Sequence, residues 1–247
     1  GYEYVRSHGL RVDSCDGSFV IERPSVYDST DAMPQCDVVI VALKTTANSL
    51  LPRMLAPLLT PHTLVLLIQN GIGVEADVAA AIPGVQLAAG LAFVCTTKTG
   101  PGHIEHTSNG AINIGNYSCA DQSLIDNLRA DLGVAGIRTA SVDYAEARWR
   151  KAVWNMPFNG LASVMGQTTD RLLAAPSGTR LVRALMDEVL GAARACGVTT
   201  IDDTFIDKMI QMTLRMPPYS PSMKVDCDLG RPMEIKYLYT RPIEEAR

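Results

Sequence analysis

Apolar residues follow two rhythms along this chain. Up to about residue 142 they come in short continuous runs separated by turn residues, and beyond it they recur at helical spacing. Residues 10–12 and 18–21 flank Asp16-Gly17, a turn pair, so the chain is expected to open on two antiparallel strands. Residues 37–43 and 63–68 are nearly uninterrupted apolar stretches. Runs of that kind read as strands covered on both faces, as in a parallel sheet. Between them Leu50, Leu51, Met54, Leu55 and Leu58 repeat as on a helix. Strand, helix, strand is the crossover unit of a doubly wound sheet.

A helix is then expected from near Val74 and a strand over 86–94. A hairpin is expected about Asn109-Gly110, between Ile104 and Ile112-Asn113-Ile114. A helix through Leu124, Ile125, Leu128 and Leu132 and a strand over 137–142 close this half. After Asp143 only helical patterns remain: 144–165, then Leu181, Val182, Leu185, Met186, Val189, Leu190 and Ala193 with Gly197 as the stop, then 201–216 with Asp202-Asp203 at its start. The expected fold is α/β, with a doubly wound sheet in residues 1–142 and an all-helical domain in residues 143–247.

Composition narrows the classes. The 22 basic and 26 acidic residues leave a net charge of −4, the opposite of a nucleic-acid binder's surplus. No apolar run is long enough to cross a bilayer, and the first residues carry no secretory pattern. The six cysteines form no C-x-x-C pair, so they are expected as reduced thiols in a cytoplasmic setting. His103 and His106, three apart on an expected strand, point to opposite faces, and no metal site is assigned. Met209, Met212 and Met216 recur at helical spacing and read as core.

The candidate chemistry lies on the stretch 148–160. Lys151, Asn155 and Asn159 are each four apart, so on a helix they share one face, while Ala152, Val153, Trp154, Met156 and Phe158 around them are apolar. A lysine and two carboxamides are thereby carried into a protected place, where they need partners. Either they are satisfied core groups or they meet a ligand; the spacing leaves both open. Pro157 cannot donate to the carbonyl of Val153 and is expected to kink the helix. Lys44 and Asn70 follow the two apolar strands, at the carboxyl ends where ligands of open α/β sheets sit, and so should face one crevice. Asn70-Gly71-Ile72-Gly73 is either a simple turn or a loop whose backbone nears a ligand. Ser222 suits a helix cap or an anion contact, and Glu234 is either a surface residue at a helix start or the partner of a buried lysine.

Taken together, the Val-Ala-Leu-Lys44 strand end, the Gln69-Asn70-Gly-x-Gly loop, the Lys151-x-x-x-Asn155-x-x-x-Asn159 helix, and Ser222-Met223-x-x-Asp226 followed by Glu234 resemble ketopantoate reductases. The resemblance runs from Gly9 to Glu234. It implies a Rossmann-type sheet followed by a helical domain, a homodimer, and reduction of 2-dehydropantoate to pantoate with NADPH. By the same resemblance Lys151 is the catalytic lysine, and Asn155, Asn159, Ser222 and Asn70 hold the substrate. Lys44, Asn70 and Glu234 line the cofactor. The family opens with a Gly-x-Gly-x-x-Gly turn that grips the pyrophosphate. The sequence here starts beyond that point, so the Rossmann-type half is expected to be incomplete and the polypeptide by itself to bind NADPH poorly. Two alternatives stay open: a reductase of another 2-keto acid on the same scaffold, and a binding remnant without cofactor.

Overall fold

The computed structural model describes residues 1–247. By internal contact the chain forms two units. The first comprises residues 1–41, 50–68 and 81–141, and the second comprises 42–49, 69–80 and 142–247. The segments that directly follow two of the strands are therefore part of the helical unit.

The first unit is built on a seven-stranded sheet. Its strands are β1 (Leu10–Ser14), β2 (Phe19–Ile21), β3 (Val38–Val41), β4 (Leu64–Leu67), β5 (Gln86–Gly100), β6 (His103–Asn116) and β7 (Thr139–Ser141), in the spatial order β2-β1-β6-β5-β4-β3 with β7 against β6. β3, β4 and β5 run parallel, as the crossover pattern requires, and β5 meets β6 antiparallel. All four residues of β4 are buried, which explains its unalternating apolar run. On one face Leu64, Leu66, Ala88 and Ile114 pack with Ile125 and Leu128. The last two belong to a helix spanning Gln122–Val134.

Three expectations for this half are corrected. The chain opens on α1 (Tyr2–His8), not on a strand, although β1 and β2 then pair antiparallel around Asp16-Gly17 as expected. β3 is the last strand in the sheet order, and its Ile40 is 47% exposed, so it is not covered on both faces. An apolar run has the same pattern whether one face is covered or two. Finally, Asn109-Gly110 is not a hairpin turn. It lies inside β6, where Val94 pairs with Asn109 and Phe93 with Ala111, leaving Gly110 as an extra residue. With φ of 70° and 122° the two residues form a bulge, and the reversal between β5 and β6 falls at Pro101-Gly102. Turn-type residues mark positive φ, and a bulge needs positive φ as much as a turn does.

The remaining helices are α2 (Leu51–Leu55), α3 (Val74–Ala81), α4 (Gln122–Val134), α5 (Tyr144–Met165), α6 (Thr169–Leu173), α7 (Pro176–Ala195), α8 (Thr204–Leu214), α9 (Ser222–Asp228) and α10 (Arg241–Glu245). α5 is the axis of the second unit. Asp143 caps it by accepting from the Glu146 N–H at 2.8 Å, and Gly166 ends it in the left-handed conformation. The helix runs unbroken through Pro157. Its apolar side, Trp149, Val153, Phe158 and Ala162, joins Val182, Met186 and Leu190 of α7 and Ile206 and Ile210 of α8 in one core. Trp154 keeps its indole N–H satisfied by donating to Thr213 Oγ1 at 2.8 Å. The chain ends in a π-type turn, Lys236–Thr240, followed by α10.

Candidate active site

The polar stripe of α5 divides. Lys151 and Asn155 line a small pocket together with Gly71, Ile72, Arg148, Ala152, Met156, Tyr237 and Leu238. Asn159, one turn further on, is buried and occupied. Its amide donates to the Asn155 carbonyl at 2.8 Å, and its oxygen accepts from the Met223 N–H at 3.0 Å. Asn159 thus holds the first turn of α9, where Ser222 stands exposed. The side chains of Asn155 and Asn70, by contrast, make no hydrogen bond within the protein. Carboxamides held half-buried in that way retain their donors and acceptors for something else.

Burial pushes the Lys151 ammonium down from 10.5 to about 8. The neighbouring Arg148 guanidinium lowers it too, and the carboxylate of Glu234 opposes them. A lysine with that value still holds its proton at neutral pH, yet gives it up more readily than a surface lysine.

The segments after β3 and β4 are fastened beside it. Lys44 Nζ pairs with Asp226, whose side chain is only 2% exposed. Thr45 donates to Glu234 Oε1 from its backbone N–H at 2.9 Å and from its hydroxyl at 2.8 Å. Glu234 is therefore buried rather than at the surface, and lies near enough to Lys151 to influence its charge. Gln69 donates from Nε2 to the Leu43 carbonyl and to Asn48 Oδ1, both at 2.7 Å. Arg148 donates from one arm to the Gln69 carbonyl and from the other to Glu75 Oε1. The close approach at Gly71 is made by the protein itself: a Cβ there would lie 2.5 Å from the carbonyl oxygen of Tyr237, which accepts from the Ile72 N–H at 2.9 Å. At a φ of 106° the position also suits glycine alone.

All seven residues singled out from the sequence, Lys44, Asn70, Lys151, Asn155, Asn159, Ser222 and Glu234, fall in the second unit. Lys151 and Asn155 share the pocket, and the rest stand on its supporting segments. Arg148, Glu75 and Thr45 were not singled out. Their side chains look like ordinary helix and loop residues, and their partners lie 73, 79 or 189 positions away.

Elsewhere, His103 pairs with Asp13 at 2.7 Å and His106 with Ser14 at 2.9 Å. Asp13 and Ser14 are consecutive on β1, so the two imidazoles sit on opposite faces. Cys15, Asp16 and His106 bring donor atoms within 4.8 Å of one another. Both nitrogens of His106 are already engaged, by the Ser14 hydroxyl and the Ser108 carbonyl. No helix is long and apolar enough to cross a membrane.

Comparison with known proteins assigns the whole chain to one family. The model of the ketopantoate reductase PanE/ApbA family matches residues 1–118, and that of its C-terminal domain matches 143–247. The chain belongs to the ketopantoate reductase family. A 2-dehydropantoate 2-reductase of Nostoc sp. is 40% identical over the whole chain and 79% of the relative. The crystal structure of 2-dehydropantoate 2-reductase from Geobacter metallireducens superposes with a TM-score of 0.95 at 35% identity, covering 99% of this chain and 82% of that one. That from Methylococcus capsulatus gives 0.87 at 32% identity, covering 100% and 80%. The chain is thus an oxidoreductase on a Rossmann-type sheet with a helical C-terminal domain, and it spans about four fifths of the length of these relatives.

Proposed function

We propose that this protein reduces 2-dehydropantoate to pantoate with NADPH. The observation that carries this reading is that Lys151 and Asn155 line one pocket, the lysine with its pKa drawn down and the amide with no partner in the protein. The relatives' names supply the substrate, and the residues supply a use for it.

The residues present fit a pyridine nucleotide in their donor set. Lys44 offers a half-exposed cation on one strand-end segment, and Asn70 offers an amide without a protein partner on the other. Lys44, Asn70 and Glu234 would hold the cofactor. When bound, it supplies the hydride that no side chain can. Lys151 Nζ would donate its proton to the ketone oxygen as that oxygen gains the carbonyl π electrons, leaving a neutral amine and an alcohol. Asn155 and Ser222 orient the ketone and carboxylate in advance. Asn159 contributes by fixing Met223, and so Ser222. The ammonium is the acid, so kcat/KM should fall as pH rises through about 8.

The test is NADPH oxidation by the intact protein with 2-dehydropantoate and a panel of other 2-keto acids. Lys151→Ala should lower kcat by about 10²–10⁴-fold. Full turnover in that variant overturns the mechanism, and preference for a different 2-keto acid replaces the substrate. The family resemblance further implies a homodimer in the cytoplasm. A monomer in sedimentation at micromolar concentration would contradict the first.

A further inference from the structure

Arg148 takes no part in the proton transfer just described, yet it is among the most deeply buried charged groups near the pocket. Its side chain is 2% exposed and that of its partner Glu75 is 0% exposed. It sits one helical turn before Lys151 and lines the same pocket. One arm of its guanidinium reaches Glu75 in α3, and the other reaches the backbone oxygen of Gln69, the residue before Asn70. Gln69 in turn grips Leu43 and Asn48 of the other strand-end segment. The guanidinium fork therefore ties the lysine helix to the segment that carries Asn70, and the Gln69 side chain ties that segment to the one that carries Lys44.

We propose that Arg148, held by Glu75, is a positioning residue for the reduction. It fixes the 69–73 loop against α5, and it keeps a second positive charge beside the Lys151 ammonium so that this group is a ready proton donor. The inference rests on the function proposed above. A hydrophobic anchor could have joined the loop to the helix without the cost of burying two charges. A cation this close to Lys151 also disfavours the protonated amine and thereby strengthens it as an acid, and Glu75 keeps that cation from being buried without a partner.

The experiment compares the intact protein with Arg148→Lys and with the paired variant Arg148→Met/Glu75→Gln, which leaves no lone charge in the interior. Two quantities are read: the alkaline limb of kcat/KM, and the pH of half-modification of Lys151 by an amine-selective reagent, followed by mass spectrometry. In the paired variant both should move upward by about one pH unit, and KM should rise as Asn70 loses its anchor. Arg148→Lys keeps the charge but not the fork, so it should hold both pH values near those of the unaltered protein while KM rises. A paired variant that folds and leaves both pH values in place overturns the proposal, as does an Arg148→Lys variant shifted as far as the pair. Lys151 labelling does not depend on turnover. A protein that fails to reduce 2-dehydropantoate while its labelling pH still responds as described refutes the function and not the device.

Discussion

The segments after β3 and β4 make the same topological move, leaving a parallel strand and joining the helical unit, yet their charged fastenings differ in exposure. Residues 42–49 are held by one half-exposed cation, Lys44, 44% exposed where it meets Asp226, and by buried hydrogen bonds from the Thr45 backbone and hydroxyl to Glu234. Residues 69–80 are held in the interior by the Arg148–Glu75 pair and by a glycine pressed onto Tyr237. A half-exposed cation can turn to water on its own side, although the Asp226 carboxylate it leaves, 2% exposed, then lacks a partner. A buried cation cannot. The first segment thus presents one cation to solvent, whereas the second is tied to the lysine helix wholly in the interior.

The most severe challenge to that contrast is Arg148→Ala. It strands Glu75 in the core and should cost about 3–5 kcal/mol in urea unfolding. A loss below about 1 kcal/mol would show the second segment to be no firmer than the first. Next is Lys151→Met, which should stabilise the protein. The unfolded lysine keeps its proton up to 10.5 and the folded one only to about 8. Below pH 8 the folded state therefore carries a charge it disfavours, at a cost of roughly 3 kcal/mol. Stability of the unaltered protein should rise with pH across the window 8 to 10.5, and the advantage of the variant should fade there. Gly71→Ala comes third. Its φ of 106° and the Tyr237 carbonyl in the way should cost about 1–3 kcal/mol. Last is Lys44→Ala, at about 1–2 kcal/mol: the ammonium is half in water, but its loss leaves the buried Asp226 carboxylate without its cation. Its effect should also appear in the KM for NADPH, and an unchanged KM would remove Lys44 from the cofactor site.

Local pattern foretold much of this. Strand runs at 37–43 and 63–68, the Asp143 start and the helix 144–165 all appear in the structure, because side-chain period and capping act over a few residues. The candidate residues were also legible, since Lys151, Asn155 and Asn159 share a face by helical geometry alone. Their division of labour was not. Asn155 and Asn159 are chemically identical and one turn apart, and only the arrival of Met223 from 64 positions away makes the second a structural anchor.

From its residues alone this chain determines a strand-rich half, a helical half and a stripe of one amine and two amides on the first long helix. Folding decided which amide stays available, that the Asn109-Gly110 pair bends a strand instead of ending it, and that Arg148 and Glu75 meet. The reason is range: periodicity and caps are written in neighbours, whereas a buried charge pair or a closed hydrogen bond exists only once distant segments have excluded water between them.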